Sequence, residues 1–202
     1  QHFSDWEAMY KLAIAVYERL TKANPQVYEP ILATSYRTLA IFYLYLCTQR
    51  LADSEAMFNS ALAIFERLVK DNPQDYEPDL AMLYYNLAII YTNTHRFAES
   101  EAMHEAALAI FERLAKENPH AYELDLALSY HNLAILYHNI QRLADSEAMY
   151  KSAIGIYGHL SKDDPQAYEP DLATSYNNLA ILYFNTQRFS ESEAMYKSAH
   201  AM

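Results

Sequence analysis

Apolar residues along the chain fall at steps of three and four. In 78–94 they are Leu80, Leu83, Leu87, Ile90 and Tyr91, the spacing of one helical face. Pro78 stands where a first helical turn accepts proline, and Asp79 suits the positive start of a helix. Thr94, His95 and Arg96 read as a short connection. A second helix is predicted from Phe97 to Lys116, with Ala102, Met103, Ala106, Ile110, Phe111 and Leu114 as its stripe. Asn118-Pro119 ends it, because the residue before proline avoids helical dihedrals. No period-two alternation occurs, so the chain is expected to be all-α.

This two-helix unit recurs. With Tyr-Glu-Pro as a ruler, Tyr28, Tyr76, Tyr122 and Tyr168 mark four copies at spacings of 48, 46 and 46 residues, and are read as inter-unit turns. Residues 97–142 and 143–188 agree at 27 of 46 positions, which identifies an array of near-copies. Two extra residues within Leu44–Gln49 account for the longer first step. Ala88, Ala134 and Ala180, and in the partner helix Ala107, Ala153 and Ala199, recur where paired helices must approach closely. One such hairpin cannot bury its stripe alone, whereas stacked neighbours can, and the expected product is a solenoid. The expected organisation is one array over 1–202. It comprises a lone second helix at 3–22 (Phe3, Trp6, Tyr10, Ala13 and Val16 in the aligned positions), units at 28–72, 76–118 and 122–164, and a shortened unit at 168–202.

Composition narrows the functions. Hydrophobic residues make up 52% of the 202 positions, enough for a folded core, and the only glycines are Gly155 and Gly158, which argues against phosphate-cradling loops. Fifteen Lys and Arg against 26 Asp and Glu give −11, and the cations are scattered, so nucleic acid is not an expected partner. No apolar run reaches the length of a membrane span. Cys47 is the single cysteine, which leaves no intramolecular disulfide. The acidic residues, among them Glu99, Glu101 and Glu105, are expected on a solvated face of the second helices, without the paired, oppositely tuned carboxylates of acid–base catalysis. No enzyme activity, cofactor or metal is therefore expected.

The repeated residues resemble the tetratricopeptide repeat. Tyr176, Leu179-Ala180, Tyr183, Phe189, Ser192, Tyr196 and Ala199 follow its pattern in order. So do Tyr84, Leu87-Ala88, Tyr91, Phe97, Ser100, His104 and Ala107, and Tyr130, Leu133-Ala134, Tyr137, Leu143, Ser146, Tyr150 and Ala153. Two departures stand out: Gln49, His95, Gln141 and Gln187 replace the usual turn glycine, and the unit exceeds 34 residues. Long units with Asn-Leu-Ala in the first helix look like the kinesin light chain type and its bacterial relatives. The resemblance implies a right-handed α-solenoid of stacked antiparallel helix pairs whose first helices line a concave, peptide-binding groove.

Candidate contacts are the residues that repeat without serving the core. Asn86, Asn132 and Asn178 precede each Leu-Ala pair, and Asn93, Asn139 and Asn185 follow them by seven residues, two turns along the same face. An asparagine amide both donates and accepts, which suits recognition of a peptide backbone. The outer row, near the turn, also fits local bonding; the inner row sits mid-helix, where asparagine has poor propensity, and reads as ligand contact. The variable positions on this face are expected to set specificity: Arg37, Tyr45, Met82, Tyr85, Leu128, His131, His138, Thr174, Asn177 and Phe184. Arg37 is the only cation among them, so a carboxylate clamp is not expected, and a mixed apolar and polar peptide, with a basic one favoured by charge, is. His131 and His138 lie about 10 Å apart along the helix, too far to share an ion. His95, His104 and His159 read as incidental replacements. The expected role is a non-catalytic scaffold or adaptor for a protein or peptide partner. A self-assembly module, with homo-oligomers formed through uncapped end helices, and a regulatory sensor segment of a larger protein are the alternatives. The out-of-phase start and stop suggest a fragment.

Overall fold

The computed structural model describes residues 2–46 and 49–201; the side chain of Phe3 and all of Cys47 lie outside what is described. Among the described residues there are nine α-helices and no strand: α1 (His2–Ala23), α2 (Pro25–Leu46), α3 (Leu51–Asp71), α4 (Pro73–Asn93), α5 (Phe97–Glu117), α6 (Pro119–Asn139), α7 (Leu143–Asp163), α8 (Pro165–Asn185) and α9 (Phe189–His200). They form an all-α helical-repeat solenoid of two compact units, one ending at Thr94 and the other starting at His95. In each unit every helix packs on the next in sequence.

The first helices begin earlier than the ruler implied. Pro25, Pro73, Pro119 and Pro165 open them, each after a single non-helical residue, Asn24, Asn72, Asn118 or Asp164. At that linking residue the backbone is extended, with φ of −143° at Asn72 and −141° at Asn118. Tyr28, Tyr76, Tyr122 and Tyr168 therefore lie inside the first turn of a helix, not in a linker. Pro30, Pro78 and Pro170 are internal to α2, α4 and α8. The helix tolerates them because the carbonyl left without an amide, at Gln26, Gln74 or Gln166, is in an exposed turn open to water.

Each pair is closed by the repeated alanines and serines. Ala40, Ala134 and Ala180 have no exposed surface, and their carbonyls accept hydrogen bonds from Ser54 Oγ (2.7 Å), Ser146 Oγ (2.7 Å) and Ser192 Oγ (2.8 Å). The small side chain thus brings the second helix close enough to satisfy a buried hydroxyl through the first helix's backbone. The sharp turn between the two is left-handed at His95, Gln141 and Gln187, with φ of 59°, 62° and 60°. After α6 and α8 it is fixed by N–H bonds from Arg142 to the Tyr137 carbonyl and from Arg188 to the Tyr183 carbonyl, both 2.8 Å.

In the first unit Phe58, Phe65, Leu39, Leu83 and Leu87 fill the core; in the second Tyr150, Tyr157, Leu133, Leu136 and Phe111 do so. His104 takes the place that Phe58 and Tyr150 hold in their repeats and is 1% exposed. Burial pushes its imidazole down to about 4. A base held below its ordinary value contributes full stability above pH 6.5 and loses it as pH falls from 6.5 towards 4, because the unfolded chain takes up the proton first. His104→Phe should therefore flatten the acid limb of the melting-temperature profile across that window, the effect approaching about 3 kcal/mol at its lower end. A profile unchanged by the substitution would contradict this.

Gly155 and Gly158 are mid-helix in α7, and a Cβ at either position meets nothing within 4 Å. Gly155→Ala and Gly158→Ala should each stabilise the fold by about 1 kcal/mol in urea denaturation, the propensity difference between the two residues.

Candidate functional site

The first-helix face can be followed within each unit. In the first unit α2 contributes Arg37 and Tyr45, and α4 contributes Tyr85, Asn86 and Asn93. Arg37 is ion-paired with Asp79, seven residues into α4, so the one cation of the face is neutralised and Asp79 serves this contact, not a helix start. Asn86 is buried: Nδ2 donates to the Met82 carbonyl (2.7 Å), and Oδ1 accepts from the exposed Tyr45 hydroxyl (3.4 Å). Its amide lies inside the wall and is not offered to a ligand. Tyr85 is half-buried and Asn93 exposed.

In the second unit α6 and α8 are joined side by side through the candidate residues themselves. His131 Nδ1 is 2.8 Å from Ser175 Oγ, and His131 Nε2 is 3.4 Å from Asn178 Nδ2. One turn-pair further on, His138 Nε2 is 3.4 Å from Asn185 Nδ2. Burial lowers the His131 pKa, partly offset by the nearby Asp171 carboxylate, and its ring stands edge-on to Tyr150 at 5.6 Å between centroids. Asn132 Nδ2 donates to the Leu128 carbonyl (3.0 Å). Asn132, Asn177 and Asn178 are half-buried, whereas Asn139 and Asn185 are exposed. Phe184 is 59% exposed, packs edge-on against Phe189 (5.5 Å), and with Tyr196 lines an open apolar cleft between α8 and α9. The face of this unit thus carries amides, imidazoles and apolar groups and no charged candidate.

What holds consecutive pairs in register was not anticipated. Arg50, Arg142 and Arg188, the residues just before α3, α7 and α9, lie 4.0, 4.1 and 4.1 Å over the rings of Tyr43, Tyr137 and Tyr183. Each guanidinium also reaches a carboxylate on the preceding second helix: Glu7, Glu101 and Glu147 respectively. Glu147 in addition accepts from Tyr183 Oη (3.0 Å) and Lys151 Nζ (2.6 Å). Glu101, and Glu105 which accepts from Tyr137 Oη (3.4 Å), therefore bind neighbouring helices and are not merely solvated. The signal was present in sequence as a Tyr followed by Arg, five residues later for Tyr137 and Tyr183 and seven for Tyr43, but the acidic partner lies 41 to 43 residues upstream.

Two profiles described as tetratricopeptide repeat match the chain, over residues 79–158 and 172–202, more than half of it together. The chain belongs to the tetratricopeptide-repeat family. No protein of curated function matches it. Among solved structures it is similar to BtubC from P. vanneervenii, at 25% identity and a TM-score of 0.81, covering 100% of this chain and 73% of that one. It is also similar to Podosopora anserina putative kinesin light chain nearly identical TPR-like repeats (15% identity, TM-score 0.64, 98% and 90% covered). A third is the Rap conjugation gene regulator of the plasmid pLS20 in complex with the Phr* peptide (15% identity, TM-score 0.62, 85% and 42% covered). Tetratricopeptide-repeat proteins are generally non-catalytic scaffolds. Among the described residues no three His, Cys, Asp or Glu side chains converge as a metal site, and no helix is long and apolar enough to cross a membrane.

The Glu147 carboxylate is held down to about 2, first by Arg188, then by Lys151 and Tyr183. A depressed acid contributes stability above pH 4.5 that is lost as pH falls through 4.5 towards 2. Glu147→Gln should lower the melting temperature at pH 7, and the gap from the parent chain should close across that range; a gap independent of pH would exclude the ionic clasp.

Proposed function

We propose that this tetratricopeptide-repeat chain is an interaction scaffold that holds a peptide segment of a partner against its first-helix face and carries out no chemistry of its own. The observation that carries this reading is the outer asparagine row. Asn139 and Asn185 in the second unit recur at one position of the repeat, are exposed, and lie beside the variable residues of that unit's face; Asn93, at the same position in the first unit, is exposed as well. An exposed amide that both donates and accepts reads a backbone whatever its side chains. The inner row divides by burial: Asn132 and Asn178 contribute at the floor of the face, and Asn86 supports it from within. Asn177, Phe184, Tyr85, His131 and His138 select among side chains. Arg37, being paired, adds no carboxylate clamp, so affinity depends little on a ligand's C-terminal carboxylate. The peptide complex of the Rap regulator, a protein of the same fold, supports the reading by analogy.

Peptide-display selection against the chain tests it. Enriched peptides should share a motif, and Asn139→Ala with Asn185→Ala should weaken them about tenfold or more, as loss of two hydrogen bonds of about 1 kcal/mol each requires, with helicity unchanged. Equal binding by the double variant would overturn the assignment. Failure of any peptide to enrich, with concentration-dependent oligomers in sedimentation, would favour self-assembly instead.

A further inference from the structure

The face of the second unit contains a hydrogen-bond arrangement whose polarity is set by two histidines. Asn178 and Asn185 each turn their amide nitrogen, Nδ2, towards a ring nitrogen of α6, at 3.4 Å from Nε2 of His131 and of His138. An amide nitrogen only donates, so each Nε2 must carry its lone pair inward and each neutral ring must hold its proton on Nδ1. For His131 this is consistent with the other side of the ring, where Nδ1–H reaches Ser175 Oγ at 2.8 Å. The Oδ1 atoms of Asn178 and Asn185 then have no hydrogen-bond donor among the described residues.

From this geometry we infer that His131 and His138 are positioning residues, which hold Asn178 and Asn185 with their carbonyl oxygens free and so make this unit's face an acceptor for N–H donors of a bound segment. The first unit is built the other way. There the Tyr45 hydroxyl donates to Asn86 Oδ1 while Nδ2 is bound to the Met82 carbonyl, which closes both ends of the amide. The residue on the preceding first helix therefore decides which end of the asparagine is available: a hydroxyl that donates engages the oxygen, and an imidazole that accepts engages the nitrogen. Repeats of nearly the same sequence can in this way read opposite halves of a peptide unit. The reverse network, with both asparagine amides turned over, Nε2–H donating to the asparagine oxygen and the Ser175 hydroxyl donating to His131 Nδ1, would give the opposite polarity. The two differ in where each proton sits.

The inference rests on the first-helix face being the peptide site, but its test uses the free chain and does not depend on any peptide binding. Long-range ¹⁵N–¹H correlation spectra of the chain near pH 8 should show both His131 and His138 with a protonated Nδ1 and an unprotonated Nε2. Free imidazole side chains favour the opposite tautomer, so the result is not a default. His131→Phe should move the side-chain NH₂ signals of Asn178 towards those of a water-bound amide while leaving Asn185 in place, and His138→Phe should do the converse. An Nε2–H tautomer in either ring, or asparagine NH₂ signals indifferent to both substitutions, would overturn the assignment. The tautomers are read on the parent chain, so they decide the matter even if a phenylalanine variant folds poorly.

Discussion

A guanidinium stacked on a tyrosine ring and clamped by a carboxylate from the preceding helix pair keeps one repeat in register with the next. In the second unit it is Arg188 on Tyr183, held by Glu147; in the first it is Arg50 on Tyr43, held by Glu7. Ion pairs at this level of exposure contribute at most about 1 kcal/mol each. Burial of large side chains such as Tyr150, Tyr157 and Phe111 contributes about 2–3 kcal/mol apiece and supplies most of the stability. The clasp matters for direction. Apolar stripes can slide past one another by a turn with little change in buried area, whereas a planar guanidinium between a ring and a carboxylate has one geometry.

With the register set, side chains of successive first helices come close enough to bond. In the second unit the bonds are His131 to Ser175 and Asn178, and His138 to Asn185; in the first they are Arg37 to Asp79 and Tyr45 to Asn86. Side chains of this face are thereby ordered in the free chain, which would reduce the entropy lost if a segment binds there as proposed. The same contacts neutralise Arg37 and leave the second unit's face without a charged candidate, in a chain whose net charge is −11. That charge is shared about equally between the first and second helices.

The helical class, the repeat length and the pairing of small residues were legible in sequence, because they are set by periodicity within a single unit. Helix starts were not. Tyr-Glu-Pro is a good ruler, but the proline three residues before each tyrosine, preceded by Asn24, Asn72, Asn118 or Asp164, is the physical break, and the later proline, where present, is absorbed in an exposed turn. The partners of Glu101 and Glu147 were not legible either, since each lies 41 residues away and only stacking brings it near. Nor was the burial of Asn86. Its helical position is the same as that of Asn132 and Asn178, and the difference comes from Tyr45 on another helix. Periodicity assigns a residue to a face, but the residue packed over that face decides whether it is a contact or part of the wall.

Chemical-shift mapping of the chain's backbone amides, titrated with a peptide enriched by display, is the most direct measurement of the central claim. The account predicts that perturbed amides and asparagine side chains cluster, within the second unit, on α6 and α8 around Asn139 and Asn185. Perturbations confined to the second helices, or to the cleft formed by Phe184, Phe189 and Tyr196 at the α8–α9 end, would contradict it.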